Sequence, residues 1–137
     1  MSAPREESER EQWLRYARED QRSAHLLTAS AGIAPREACV LAQQAAERAL
    51  KAVLIAEGTL VPRSHQLIEI RNLLRVRLLP LMSVAELEQL SSWAVAGRYP
   101  GDWGEATIED AEQALLSADA IVAAAEERLD EPSGGAR

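Results

Sequence analysis

The sequence has little of what several classes of functional site require. Its 137 residues include one cysteine, Cys39, so neither an internal disulfide nor a cysteine-based zinc site can form. The two histidines, His25 and His65, are too few for a histidine-rich metal site. Because Cys39 falls in an apolar run, we expect it to be a small core residue rather than a nucleophile. We expect no metal and no cofactor.

Basic charge and long apolar runs are also lacking. The formal net charge is −7, which argues against a monomer that binds duplex nucleic acid through its phosphates, because such surfaces carry a basic excess. A local cationic cleft is compatible with this balance. No apolar run approaches the ~18 residues that cross a bilayer, and residues 1–10 are charged and lack the apolar stretch of a signal peptide. We therefore expect a cytoplasmic protein.

Alanine and leucine supply most of the apolar residues, which make up 47% of the chain, while phenylalanine is absent. This composition favours helices, since strands prefer β-branched and aromatic side chains. Apolar spacing and breaker residues predict an all-α, up-and-down bundle of four or five helices. The predicted helices cover about 6–30, 35–56, 65–79, a fourth from Ser83 to before Pro100, and a fifth from about Thr107 to Leu129. We expect one domain over 1–130 and a disordered tail over 131–137.

The second predicted helix is apolar most of the way round, which is typical of a helix buried by several neighbours. The remaining strip holds Gln44, Glu47, Arg48 and Lys51. Glu47 and Lys51 are four residues apart, in the favourable order for an ion pair. Gln44, Glu47 and Lys51 either line a polar groove between subunits or bind a ligand, or they form a hydrogen-bonded structural strip or an ordinary solvated face. We favour the structural alternative, with Glu47 partly buried.

The same helix carries a family resemblance. Its segment ACVLAQQAAERALKAVL, residues 38–54, resembles the "QQAAEKALKA"-like signature helix of HEPN-domain proteins, with Arg48 in place of a lysine. Further matches follow in the expected order and span about residues 8 to 129. They are Trp13 with Asp20 and Ala24 in the first helix, the "THDL"-like segment Ser64-His65-Gln66-Leu67, and the "RYP" element Arg98-Tyr99-Pro100.

The resemblance implies a helical bundle that is commonly a homodimer. Many HEPN proteins are encoded beside a minimal nucleotidyltransferase, often as a toxin–antitoxin pair. Others are metal-independent ribonucleases with an Arg-x4–6-His motif, in which arginine stabilises phosphate charge and histidine moves a proton. If Arg98 is the arginine of this motif, the histidine should lie at position 103, 104 or 105. These positions hold Trp103, Gly104 and Glu105 instead. Arg18 and His25 have the formal spacing, but both fall within the first predicted helix.

Each candidate site residue has a functional and a structural interpretation. Arg98 is a phosphate ligand or a helix-end residue, and Tyr99 is a base-stacking platform or a lid over the helix end. His65 either transfers a proton, or it caps the third helix or forms a hydrogen bond across the bundle. Our leading hypothesis is a nucleotide- or RNA-associated module, the homodimeric partner of a minimal nucleotidyltransferase in a toxin–antitoxin-like pair. The alternatives are a metal-independent endoribonuclease that uses Arg98 without the usual histidine, and a non-catalytic dimeric scaffold. The candidate residues are Gln44, Glu47, Lys51, His65, Arg98 and Tyr99.

Overall fold

The computed structural model describes residues 5–76, 78, 82–96 and 104–130. All regular secondary structure within these ranges is α-helical, which confirms the predicted fold class, and none of the described helices is long and apolar enough to cross a membrane. Only Ser92 separates the fourth and fifth helices, which together correspond to the fourth predicted one. The helices are α1 (Glu9–Ala29), α2 (Pro35–Ala56), α3 (Leu67–Asn72), α4 (Val84–Ser91), α5 (Trp93–Ala96) and α6 (Ile108–Leu129).

Helix α2 is the centre of the bundle and contacts all five other helices. It begins at Pro35, whose missing N–H is not needed in a first turn, and is followed by Gly58 at φ +73°. Small side chains on several sides of α2 let α1 and α6 approach it closely. The alanines of α2 that are fully or almost fully buried are Ala38, Ala42, Ala45, Ala46, Ala49 and Ala52.

Side-chain caps fix where three of the helices begin. Ser83 accepts a hydrogen bond from the N–H of Glu86, and the Glu86 carboxylate accepts one from the N–H of Ser83. Thr107 and Asp110 make the same reciprocal pair before α6, as Ser8 and Glu11 do before α1. These contacts satisfy amides that have no partner within a helix. The start of α4 and of α6 was predicted from this pattern.

Helix α3 is shorter than predicted. The expected helix over 65–79 is wrong: α3 has six residues and ends at Asn72. Beyond it, the N–H of Arg75 donates to the Glu57 carboxylate at 2.9 Å instead of to a carbonyl one turn back. A side chain at the end of α2 therefore takes the hydrogen bond that a longer α3 would need.

Candidate functional site

The carboxylate of Glu47, on α2, is held by three neighbouring side chains. Lys51 Nζ lies 2.8 Å from Oε2, Gln43 Nε2 lies 3.1 Å from Oε1, and His65 Nδ1 lies 3.0 Å from both oxygens. Gln43 Nε2 also donates to the main-chain oxygen of His65 at 3.1 Å. We call these four residues the Glu47 network. It joins the middle of α2 to the segment that leads into α3.

The network keeps two opposite charges inside the bundle. The side chains of Glu47 and Lys51 are only 11% and 6% exposed. Burial on its own would raise the pKa of Glu47, but the hydrogen bonds from Lys51, Gln43 and His65 outweigh it and leave the pKa below its ordinary value. Glu47 is therefore ionised at neutral pH, and Lys51 compensates its charge.

An ionised Glu47 determines which nitrogen of His65 carries the proton. A carboxylate only accepts hydrogen bonds, so the bond to His65 requires a proton on Nδ1. In the neutral ring Nε2 is then an acceptor. The side chain of His65 is 50% exposed, and among the described residues Nε2 has no hydrogen-bond partner. The network thus ends in a half-exposed ring whose second nitrogen, Nε2, is an acceptor.

Beside the network, aromatic rings and paired charges line the contact between α1 and α2. The Trp13 ring lies 5.8 Å from Lys51 Nζ, and the Tyr16 ring lies 5.6 Å from the Arg48 guanidinium. Arg48 pairs with Asp20 at 2.6 Å. Burial raises the pKa of Asp20 despite the opposing effect of Arg48. Trp13 and Asp20, two residues of the family resemblance, therefore face Lys51 and Arg48 of the signature helix across α1 and α2.

The structure brings together three of the six predicted site residues, Glu47, Lys51 and His65. Gln44 is half-buried, and its side chain makes no hydrogen bond to a described residue; its neighbour Gln43 occupies the network instead. Sequence reasoning missed Gln43, although Gln43, Glu47 and Lys51 follow one another at four-residue steps and so share one helix face. The other predicted residues, Arg98 and Tyr99, lie outside the described ranges. So do Trp103 and the predicted tail 131–137.

Arg18 and His25, which have the formal Arg-x6-His spacing, join α1 to α6. Arg18 Nε lies 2.5 Å from Glu126, and His25 Nε2 lies 2.9 Å from Asp119. Asp119 also accepts a hydrogen bond from Gln21 at 2.7 Å. The two residues of the formal motif thus pair with different carboxylates on α6 instead of converging on one point.

Comparison with known proteins identifies the family. The model of the HEPN domain matches residues 10–128. The crystal structure of TT1696 from Thermus thermophilus is 29% identical, with a TM-score of 0.72 over 87% of this chain and 97% of that one. ST0689, described as an archaeal HEPN homologue, is 25% identical, with a TM-score of 0.67 over 90% of this chain and 99% of that one. No protein with a curated description matches significantly. This chain belongs to the HEPN domain family.

Proposed function

We propose that this protein is a homodimeric, nucleotide- or RNA-associated interaction module that works with a minimal nucleotidyltransferase in a toxin–antitoxin-like pair. Its membership of the HEPN family supports this proposal, since the resemblance implies such partners and a dimeric assembly. The proposal assigns the chain a binding role and no reaction of its own.

One observation carries the non-catalytic part of the proposal. In the signature helix, the two residues best suited to acid–base or phosphate chemistry, Glu47 and Lys51, are buried against each other at 2.8 Å. A lysine with 6% of its side chain exposed and a carboxylate as its partner is a poor ligand for a substrate phosphate. Their contacts instead hold α2 and the segment before α3 in one arrangement, which suits a rigid binding module.

The partner claim is tested by co-purification. The chain is expressed with the protein of the adjacent reading frame, and the mass of the purified complex is measured by light scattering. We expect a dimer of the chain alone and a complex that contains two copies of it together with the nucleotidyltransferase. A monomer that binds no neighbouring protein contradicts the proposal. A dimer that binds neither the nucleotidyltransferase nor RNA favours the scaffold alternative.

The endoribonuclease remains a second candidate because of one feature, the acceptor Nε2 at the exposed edge of His65. Glu47 behind the ring fixes its tautomer, as the carboxylate does in a catalytic triad. This candidate requires His65 to replace the histidine that residues 103–105 lack. It predicts RNA cleavage without a metal ion, dependent on both Arg98 and His65.

A further inference from the structure

A cavity lies beside the segment that follows the early end of α3. Its volume is about 460 Å³, and it lies between α2, α6 and this segment. Its inner wall is made of core side chains, since Leu50, Ile121 and Ala124 are 2%, 5% and 6% exposed. Ligand sites for small molecules commonly measure about 300–1,000 Å³ and have mostly apolar walls. The cavity therefore has the size and the inner surface of a small-molecule site.

The mouth of this cavity is cationic. Arg71 and Arg75 both line it, and the described lining residues include no aspartate or glutamate. Arg71 Nη1 donates to the main-chain oxygen of Met82 at 3.1 Å, which fixes one end of the guanidinium and leaves its other N–H groups available. The nearby Glu57 bonds the main-chain N–H of Arg75. Neither arginine forms an ion pair with a described residue.

Arginines that form no ion pair with a described residue also occur on α1, at Arg10 and Arg22, but others on α1 and α2 are paired. Arg15, Arg18 and Arg48 each lie within 3.2 Å of a carboxylate. In a chain of net charge −7, two guanidinium groups beside an apolar cavity, neither in an ion pair with a described residue, are complementary to an anion, although the Glu57 carboxylate lies against the main chain of Arg75. A guanidinium binds the oxygens of a carboxylate or a phosphate in a bidentate manner.

We propose that this cavity binds a small amphipathic anion, with its carboxylate or phosphate head on Arg71 and Arg75 and its apolar body against Leu50 and Ile121. The proposal does not depend on the partner or the RNA association proposed above. It rests on three features of one place: an apolar inner wall, a cationic mouth, and a volume that suits a ligand of this class.

The test uses the full chain and the fluorescent anion 8-anilinonaphthalene sulfonate, which has an apolar ring system and one charged group. We expect saturable one-to-one binding to the folded protein and displacement by octanoate or octyl phosphate. Octanol and inorganic phosphate, which each lack one half of the proposed chemistry, should displace it poorly. A stronger effect of octyl phosphate than of octanoate assigns the head group as a phosphate, and the reverse assigns a carboxylate.

Two variants locate the site. Arg75→Gln, at an exposed position, should weaken binding roughly tenfold, the usual effect of losing one charged hydrogen-bonding partner. Ala124→Leu should abolish binding by filling the inner wall without changing the charge. Arg63→Gln is the matched control, because Arg63 is exposed, forms no ion pair with a described residue and does not line the cavity. Near-ultraviolet circular dichroism checks that each variant is folded.

Three results overturn the proposal. Equal binding by wild type, Arg75→Gln and Ala124→Leu places the dye elsewhere. If octanol displaces the dye as strongly as octanoate does, the charged head group contributes nothing to binding, and the arginines are not its ligands. An apparent affinity that falls as the protein concentration rises means that a second copy of the chain covers the cavity instead of a small anion.

Discussion

Lys51 and Glu47 form a buried ion pair one helical turn apart on α2, with 2.8 Å between Nζ and Oε2. The exposed pair of Arg36 and Glu37, at 3.1 Å, is a contrast on the same helix, since about half of each side chain is accessible to water. An isolated charge is far more costly in the interior than at the surface. The two pairs should therefore respond differently when their cation is removed.

We expect Lys51→Met to lower the free energy of unfolding by about 3 kcal/mol, because it leaves the Glu47 carboxylate buried with fewer donors. Arg36→Met, the matched change at the exposed pair, should shift it by no more than about 0.5 kcal/mol. Urea denaturation measures both values. The double variant Lys51→Met/Glu47→Gln should cost less than the sum of its single changes. Equal losses of unfolding free energy for Lys51→Met and Arg36→Met would show that the buried pair stabilises the fold no more than the exposed pair does.

The stability that Glu47 contributes should depend on pH in one direction. Its pKa in the folded protein lies below the ordinary value of 4.5, so the folded state binds this proton more weakly than the unfolded state does. The contribution is therefore complete above about pH 4.5 and is lost as the pH falls through the lowered folded pKa. We expect the stability difference between wild type and Glu47→Gln to be constant from neutral pH to about pH 5 and to shrink below it. Urea titrations across this range check it, and a difference that grows on acidification contradicts the assignment.

The two histidines should be opposite tautomers when they are neutral. His65 faces Glu47 through Nδ1, whereas His25 faces Asp119 through Nε2. We expect ring-nitrogen NMR shifts above neutral pH to report the proton on Nδ1 in His65 and on Nε2 in His25. Glu47→Gln should alter the His65 shifts and leave those of His25 unchanged, so His25 is the internal control. A proton on Nε2 of His65 in the wild type is incompatible with the Glu47 network.

Cys39 should be unreactive in the folded protein. Burial, with a smaller effect from Asp110, raises the pKa of its thiol to about 12, and its side chain has no exposed surface. Because the thiolate is the nucleophile, a disulfide reagent at about pH 8 should react only as the protein unfolds. Concentrated guanidinium chloride should give rapid, stoichiometric reaction and is the positive control. Rapid labelling of the native protein contradicts the burial of Cys39.

The extent of α2 could be predicted from the sequence because local signals set both of its ends. Pro35 suits a first turn and Gly58 suits the position after a last turn, and the structure gives α2 as Pro35–Ala56. The end of α3 could not be predicted in this way. The N–H groups of Leu73 and Leu74 bond carbonyls only three residues back, and the N–H of Arg75 donates to Glu57, 18 positions away. Such a contact leaves no periodic signal along the chain.

The candidate site could be predicted only where its contacts are local in the sequence. Glu47 and Lys51 are neighbours on one helix, so their spacing alone predicts the pair. The contact between Glu47 and His65 depends on how the loop after α2 folds back, and the choice of Gln43 over Gln44 depends on which side of α2 faces that loop. Both are tertiary effects that a helical pattern does not encode.

The non-catalytic role is tested by RNA cleavage with purified, folded protein in the presence of EDTA. Wild type is compared with Arg98→Ala, with His65→Ala and with His25→Ala. The last variant is the control, because it removes a histidine that contacts a different carboxylate. We predict no cleavage by any of the four proteins. Cleavage by wild type and His25→Ala that is lost in both Arg98→Ala and His65→Ala would contradict this account and make the protein a metal-independent ribonuclease.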